Sequence, residues 1–170
     1  MKRLILLAAL LLPAATSPGP ALPRGERLAE SLLAIHNRER AQVGVPPLVW
    51  DEALAAEAAS YVPELIDLGD LEHSDEAMEG ETGENLAMGT AGYYSPEALT
   101  QLWVDEKNSF ENGIFPNVSR TGDWDEVGHY TAMVWRETTS VGCAIGSGGG
   151  DLYLVCRYAP AGNVFSERVY

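Results

Sequence analysis

The chain has 170 residues, of which 46% are hydrophobic, and its formal net charge is −14 at pH 7. This length is enough for one domain with its own core and short of what two domains need. The excess of acid repels nucleic-acid phosphates and anionic lipid head groups, so nucleic acid is excluded as a partner. We interpret the acidic surface as a source of solubility.

The N-terminus has the pattern of a secretory signal peptide. Two basic residues precede an unbroken apolar run, Leu4–Leu12, which gives way to prolines and small residues ending near Ala21. The run is too short to cross a bilayer as a helix of the mature protein. We therefore expect residues 1–21 to be a signal peptide and residues 22–170 to be one domain, secreted to the extracellular space or the periplasm and not stably inserted in a membrane. An uncleaved N-terminal anchor is the alternative.

Cys143 and Cys156 are the only cysteines of the chain. In the oxidising compartment that a secreted chain reaches, an even pair is bridged more often than free. The glycine-rich stretch 146–151 is typical of a turn, and a hairpin would bring the two sulfurs together. Metal binding is the weaker alternative, because structural zinc needs four ligands and no histidine flanks either cysteine. We expect a disulfide.

Four segments have the apolar spacing of amphipathic helices. The first ends at Gly44, and the second is capped by Asp51 and should end or kink at Pro63. The third begins at Ser95 with a proline in its first turn. The fourth spans about Gly128–Trp135.

Two alternating segments, Ser140–Ile145 and Leu152–Tyr158, predict the strands of a hairpin. Residues 69–92 are rich in glycine and acid, and we interpret them as a long loop that carries a short strand. A loop of this length in a compact domain is expected to be functional.

The run Gly128–Arg136 contains the densest group of chemically distinctive residues. Its sequence GHYTAMVW, followed by VGCA at 141–144 and by VCRYAPAGN at 155–163, resembles the two signature motifs of the CAP superfamily. That superfamily groups cysteine-rich secretory proteins, insect venom antigen 5 and plant pathogenesis-related class 1 proteins. The resemblance covers most of residues 22–170. It implies an α+β fold, an α-β-α sandwich in which a small, mostly antiparallel sheet has helices on both faces.

The same resemblance implies that His73, Glu84, Glu106 and His129 line a shared cleft, which their spacing alone does not predict. Two neutral imidazoles with nearby carboxylates are able to hold zinc or another divalent cation. The histidines would then be direct ligands, and the glutamates would ligate the metal or orient the histidines. In the alternative, the carboxylates only accept hydrogen bonds from the imidazoles and stabilise the fold.

Three functions follow from this resemblance. The first is a non-enzymatic extracellular binding module for a small apolar ligand such as a lipid or sterol, or for a protein partner, with an optional metal. The second is a metal-dependent or serine-type hydrolase with Ser74 as nucleophile, Glu84 as orienting group and His129 as base. His73 is a poor base here, because adjacent residues seldom point at each other. The third is an interaction protein whose tetrad only stabilises the fold. The oligomeric state is not predicted.

Other residues near the tetrad have milder interpretations. We expect His36 at a boundary, packed against the cleft or solvent rather than acting as a ligand. Asn85 should satisfy backbone groups of a neighbouring loop, and Trp103 should be a core or cleft-wall aromatic. Ala132 stands where many family members have a glutamine, so the cleft-side motif has one polar group fewer.

Overall fold

The computed structural model describes residues 24–75, 77, 80 and 82–170, which form both helices and strands. The predicted signal peptide lies outside the described residues. None of the helices among these residues is long and apolar enough to cross a membrane. The elements are α1 (Arg24–Val43), β1 (Val49–Trp50), α2 (Glu52–Leu68), β2 (Gly83–Thr90), α3 (Pro96–Asp105), α4 (Gly128–Val134), β3 (Ser140–Gly148) and β4 (Asp151–Ala159), with 3-10 turns at Glu106–Asn108 and Trp124–Glu126.

One mixed sheet has the strand order β1-β3-β4-β2. Strand β4 pairs antiparallel with both β3 and β2, and β1 runs parallel to β3 over two residues. Gly149 and Gly150 form the turn between β3 and β4 with φ of 64° and 100°, values that a residue with a Cβ rarely adopts. Cys143 lies opposite Cys156 in this register, and the predicted disulfide is confirmed.

Helix α2 covers one face of the sheet, and glycines in β3 make room for it. A Cβ on Gly142 would collide with the backbone of Asp51 and Ala55, and one on Gly146 with the side chain of Val62. The strand backbone therefore lies in direct contact with the helix. A small core fills this side, consisting of Ala58, Val62, Leu65, Leu86, Ala144, Tyr153 and Val155.

Helices α1, α3 and α4 cover the opposite face over a larger core, which confirms the α-β-α sandwich. Arg40 of α1 is fully buried and donates hydrogen bonds of 2.8 to 3.1 Å to the carbonyl oxygens of Met133, Trp135 and Thr138. These carbonyls lie at or just beyond the end of α4, where a helix leaves its last acceptors without partners. Burial lowers the pKa of Arg40 to about 10, so the side chain stays charged at neutral pH. Arg40 thus fixes α4 against α1.

The second helix does not end at Pro63. It continues to Leu68 and is capped by Gly69, whose φ is 70°. Pro63 has no N–H to donate to the carbonyl of Ala59, but Ala59 is exposed, so water is able to satisfy that oxygen. Burial of Val62 and Leu65 on the side that faces the sheet keeps the helix in place.

Candidate functional site

The predicted tetrad forms two histidine–glutamate pairs, and Glu106 contacts His129 but is not itself among the residues that line the cleft. His73 Nδ1 lies 2.8 Å from Glu84 Oε1, and His129 Nδ1 lies 2.6 Å from Glu106 Oε1. The histidines of both pairs line one cleft of about 110 Å³. The remaining lining residues are Glu84, Asn85, Trp124, Asp125, Gly128 and Asn163.

The first pair joins the loop after α2 to strand β2. Glu84 Oε1 accepts hydrogen bonds from His73 Nδ1 and from the Ser74 amide, the latter at 3.1 Å. The Glu84 side chain has no exposed area, whereas His73 is 48% exposed. Because a carboxylate only accepts, His73 Nδ1 carries the proton. In the neutral imidazole, Nε2 then keeps a free lone pair.

Arg157 on β4 balances the buried charge of Glu84. Its Nη2 lies 3.0 Å from Glu84 Oε2 and donates a hydrogen bond of 2.8 Å to Ser74 Oγ. Among the described residues, Glu84 Oε2 and Arg157 Nε have no hydrogen-bond partner. The attraction between the two side chains is therefore mainly that of opposite charges, without a well-aligned hydrogen bond. No role for Arg157 was predicted from the sequence. The available signal was a cation inside the apolar strand Leu152–Tyr158, because a buried charge needs a partner.

The second pair joins the 3-10 turn after α3 to helix α4. Glu106 Oε1 accepts from His129 Nδ1, and Oε2 accepts from the Tyr130 amide at 2.9 Å. That amide is in the first turn of α4, where backbone N–H groups have no helical partner. The Trp103 ring stacks on the His129 ring at 5.9 Å between centroids. Trp103 is 2% exposed, which confirms it as a core aromatic.

A buried hydrogen-bonded chain lies behind the cleft. His36 Nδ1 donates to the Leu32 carbonyl and its Nε2 accepts from the Tyr158 hydroxyl, both at 2.8 Å. The Tyr158 oxygen in turn accepts from Asn85 Nδ2 at 3.1 Å, and Asn85 also donates to the His129 carbonyl. The backbone role predicted for Asn85 is confirmed.

The predicted boundary position of His36 is wrong, because the side chain has no exposed area. The apolar spacing of α1 could not show that His36 is interior, because its burial depends on the Tyr158 hydroxyl of the distant strand β4. Burial lowers the pKa of His36 to about 4, so the ring is neutral at physiological pH. Burial also raises the pKa of Tyr158, which keeps the hydroxyl protonated as a donor.

Ser74 is a buried connector in this structure. Its Oγ accepts hydrogen bonds from Arg157 Nη2 and from the Ala77 amide, and the residue is 3% exposed. No hydrogen bond joins this oxygen to a histidine among the described residues. The arrangement lacks the contact by which a base activates a serine.

A larger groove continues from the cleft on the side of His73. It has a volume of about 400 Å³ and shares His73, Glu84 and Asn163 with the cleft. Phe165, which is 63% exposed, and Val164 supply apolar surface to it. Its other lining residues are Ala77, Gly80, Thr82, Gly83, Ala132, Ala161 and Gly162.

The fold and this tetrad define a CAP protein, and comparison with known proteins agrees. A family model described as "CAP: Cysteine-rich secretory protein family" matches residues 33–158, so the chain belongs to that family.

Pathogenesis-related protein 1B of Nicotiana tabacum is 38% identical over 143 residues, which cover 83% of this chain and 80% of that protein. Pathogenesis-related protein 1 of Arabidopsis thaliana is 35% identical over 172 residues, covering 97% and 91%. Among solved structures, the crystal structure of NaASP2 with Zn²⁺ has a TM-score of 0.71 at 23% identity, covering 89% of this chain and 90% of that one. At that identity the likeness concerns the fold alone.

Proposed function

We propose that this chain is a secreted, non-enzymatic binding protein. Its cleft holds a divalent transition-metal ion weakly between His73 and His129, and the adjoining groove takes a small apolar ligand or a segment of a protein partner. One observation carries the proposal: both imidazoles have Nδ1 committed to a glutamate and line the same cleft. No described residue forms a hydrogen bond with either Nε2, so both nitrogens are able to bind a ligand in that cleft.

Volume separates the two kinds of ligand. A cleft of about 110 Å³ has room for three or four water molecules at roughly 30 Å³ each. Pockets for drug-sized ligands are larger, roughly 300 to 1,000 Å³. The cleft therefore suits an ion with its water, and an apolar ligand belongs in the groove of about 400 Å³.

The residues present fit a metal site of low affinity. Among the described residues, no group of three or more His, Cys, Asp or Glu side chains is arranged to hold a metal. Two imidazoles would hold the ion, with water in the other positions, and Glu84 and Glu106 would orient the imidazoles as outer-shell groups. A bound ion would supply positive charge that attracts an anionic group of a ligand. The similarity to NaASP2, whose structure contains Zn²⁺, supports zinc as the first ion to test.

Secretion is supported by the N-terminal signal pattern and by the disulfide, which an oxidising compartment maintains. The name of the matched family, and the pathogenesis-related names of the relatives, support an extracellular defence-type role. Binding is favoured over hydrolysis because Ser74 Oγ is engaged by Arg157 and by the Ala77 amide.

The test is a calorimetric titration of the secreted protein with zinc chloride, beside a His129→Ala variant. We expect one zinc per chain for the wild type and no measurable heat of binding for the variant. Asp125→Asn is the matched control, because it removes a charge from the cleft wall and leaves both imidazoles in place. Equal zinc binding by the wild type and His129→Ala would contradict the proposal.

A further inference from the structure

Among the described residues, the outer edge of the sheet has no paired strand over most of β3. Strand β1 pairs with β3 only at Ser140 and Val141, although β3 continues to Gly148. On its other side β3 pairs with β4 along its full length. From Gly142 onward, β3 is therefore the edge strand of the sheet within the described structure.

The backbone groups that face this open edge can be assigned from one hydrogen bond. The Val141 carbonyl accepts from the Asp51 amide at 3.0 Å, so the N–H and C=O groups of Val141 face the β1 side. In an antiparallel strand this direction alternates with every residue. The N–H and C=O groups of Cys143, Ile145 and Ser147 therefore face outward as well. Apart from the pairing within the sheet, no backbone hydrogen bond among the described residues involves these three residues.

An apolar groove of about 510 Å³ lies beside this edge. Cys143, which is 3% exposed, contributes to its wall, and Trp50 also lines it. The groove thus provides apolar surface next to unpaired strand groups. Its apolar lining further includes Leu28, Ala29, Leu33 and Ala55.

The rim of the groove is acidic. Glu26, Glu30 and Glu52 line it and are exposed, and the whole chain carries a net charge of −14. Such a rim attracts a cationic partner and repels an acidic one. A second copy of this chain is disfavoured as the occupant, because two copies would bring two acidic rims together.

We propose that the free edge of β3, from Cys143 to Ser147, binds an extended cationic segment of a protein partner by β-strand addition. The partner backbone pairs with the outward groups of Cys143, Ile145 and Ser147, which gives affinity without a defined sequence. Successive side chains of a strand point to opposite faces. Apolar side chains on one face of the partner strand therefore enter the groove, and its long lysine or arginine side chains extend past the strand edge to the glutamates of the rim. This surface is separate from the histidine cleft.

The probe is an acetylated six-residue peptide that alternates lysine and valine, titrated into the ¹⁵N-labelled protein. We expect the amide signals of Cys143, Ile145 and Ser147 to shift and their hydrogen exchange to slow, because these N–H groups acquire acceptors. The same peptide with N-methylated backbone amides should not bind, and neither should a glutamate–valine peptide. Equal binding of the N-methylated peptide, or shifts confined to other residues, would overturn the proposal.

Two variants separate the backbone and charge contributions. Ile145→Pro removes an outward N–H without removing a hydrogen bond to β4, and it should weaken binding by about tenfold. Glu30→Gln leaves the backbone unchanged and should weaken binding in low salt, whereas Glu111→Gln, an exposed glutamate outside the groove, should not.

Two other results count against the proposal. Slow exchange at all three amides before peptide is added would show that another segment of this chain already occupies the edge. Self-association that the peptide does not displace would show that a second copy occupies it.

Discussion

Glu106 holds His129 with one carboxylate oxygen and the backbone of α4 with the other. The distances are 2.6 Å from Oε1 to His129 Nδ1 and 2.9 Å from Oε2 to the Tyr130 amide. One side chain therefore fixes both the position of the helix that carries the imidazole and the tautomer that the imidazole adopts.

Replacing Glu106 with glutamine should weaken zinc binding while both histidines remain. The loss of the acidic acceptor removes the outer-shell partner, which typically costs roughly 10-fold to 100-fold in metal affinity. Calorimetry with zinc checks this, and Glu111→Gln serves as the control because Glu111 is exposed and outside the cleft. An unchanged affinity for Glu106→Gln would remove the orienting role.

His36 should make the fold less stable in acid. Its pKa is lowered from 6.5 to about 4, chiefly by burial, so between these values the unfolded state binds a proton that the folded state does not. Stability is therefore complete above about pH 6.5 and falls as the pH decreases, by about 2 to 3 kcal/mol at pH 4.5. Urea unfolding at pH 7 and pH 4.5 measures this loss.

A His36→Gln variant isolates the contribution of that imidazole. It should be less stable than the wild type at pH 7, because the bond to Tyr158 is changed, but it should lose less stability on going to pH 4.5. If both proteins lost the same free energy between the two pH values, the acid sensitivity would arise from other groups.

The disulfide should contribute to stability without determining the fold. Cys143 and Cys156 enclose a short hairpin with a sequence separation of 13, which corresponds to about 2 to 3 kcal/mol in the chain-entropy description. A Cys143→Ala/Cys156→Ala protein should therefore unfold at lower urea concentration with the same circular dichroism spectrum. Mass analysis under non-reducing conditions checks the bridge, since two free thiols in the wild type would contradict it.

The contact between α2 and β3 depends on Gly142. A methyl group there would meet the backbone of Asp51 and Ala55, which side-chain rearrangement cannot relieve, so Gly142→Ala should cost about 3 kcal/mol, the upper end of the usual range for overpacking. Gly25→Ala is the matched control, because nothing lies within 4 Å of a Cβ built there. Its stability should stay within about 1 kcal/mol of the wild type. Similar unfolding midpoints for the two variants would contradict the close packing.

The elements with local signals could be predicted from the sequence. The helix that Asp51 caps, the hairpin and the Cys143–Cys156 bridge all follow from periodicity, turn glycines and cysteine spacing. The continuation of α2 past Pro63 could not be predicted, because burial on the inner face of the helix outweighs the local preference of proline.

The site depends on contacts that spacing does not contain. The bond from Arg157 to Ser74 spans 83 residues, and the bond between His36 and Tyr158 spans 122. Convergence of His73 and His129 was implied only by the resemblance to a family. The one local sign of the pair between Arg157 and Glu84 was the position of Arg157 itself, a cation within an apolar strand.

X-ray absorption at the zinc edge, on the protein saturated with zinc, tests the metal site most directly. We predict two imidazole nitrogens in the first coordination shell, completed by oxygen from water, and the loss of one imidazole in a His73→Ala protein. A shell made only of oxygen, or one that keeps both imidazoles in His73→Ala, would contradict binding between His73 and His129.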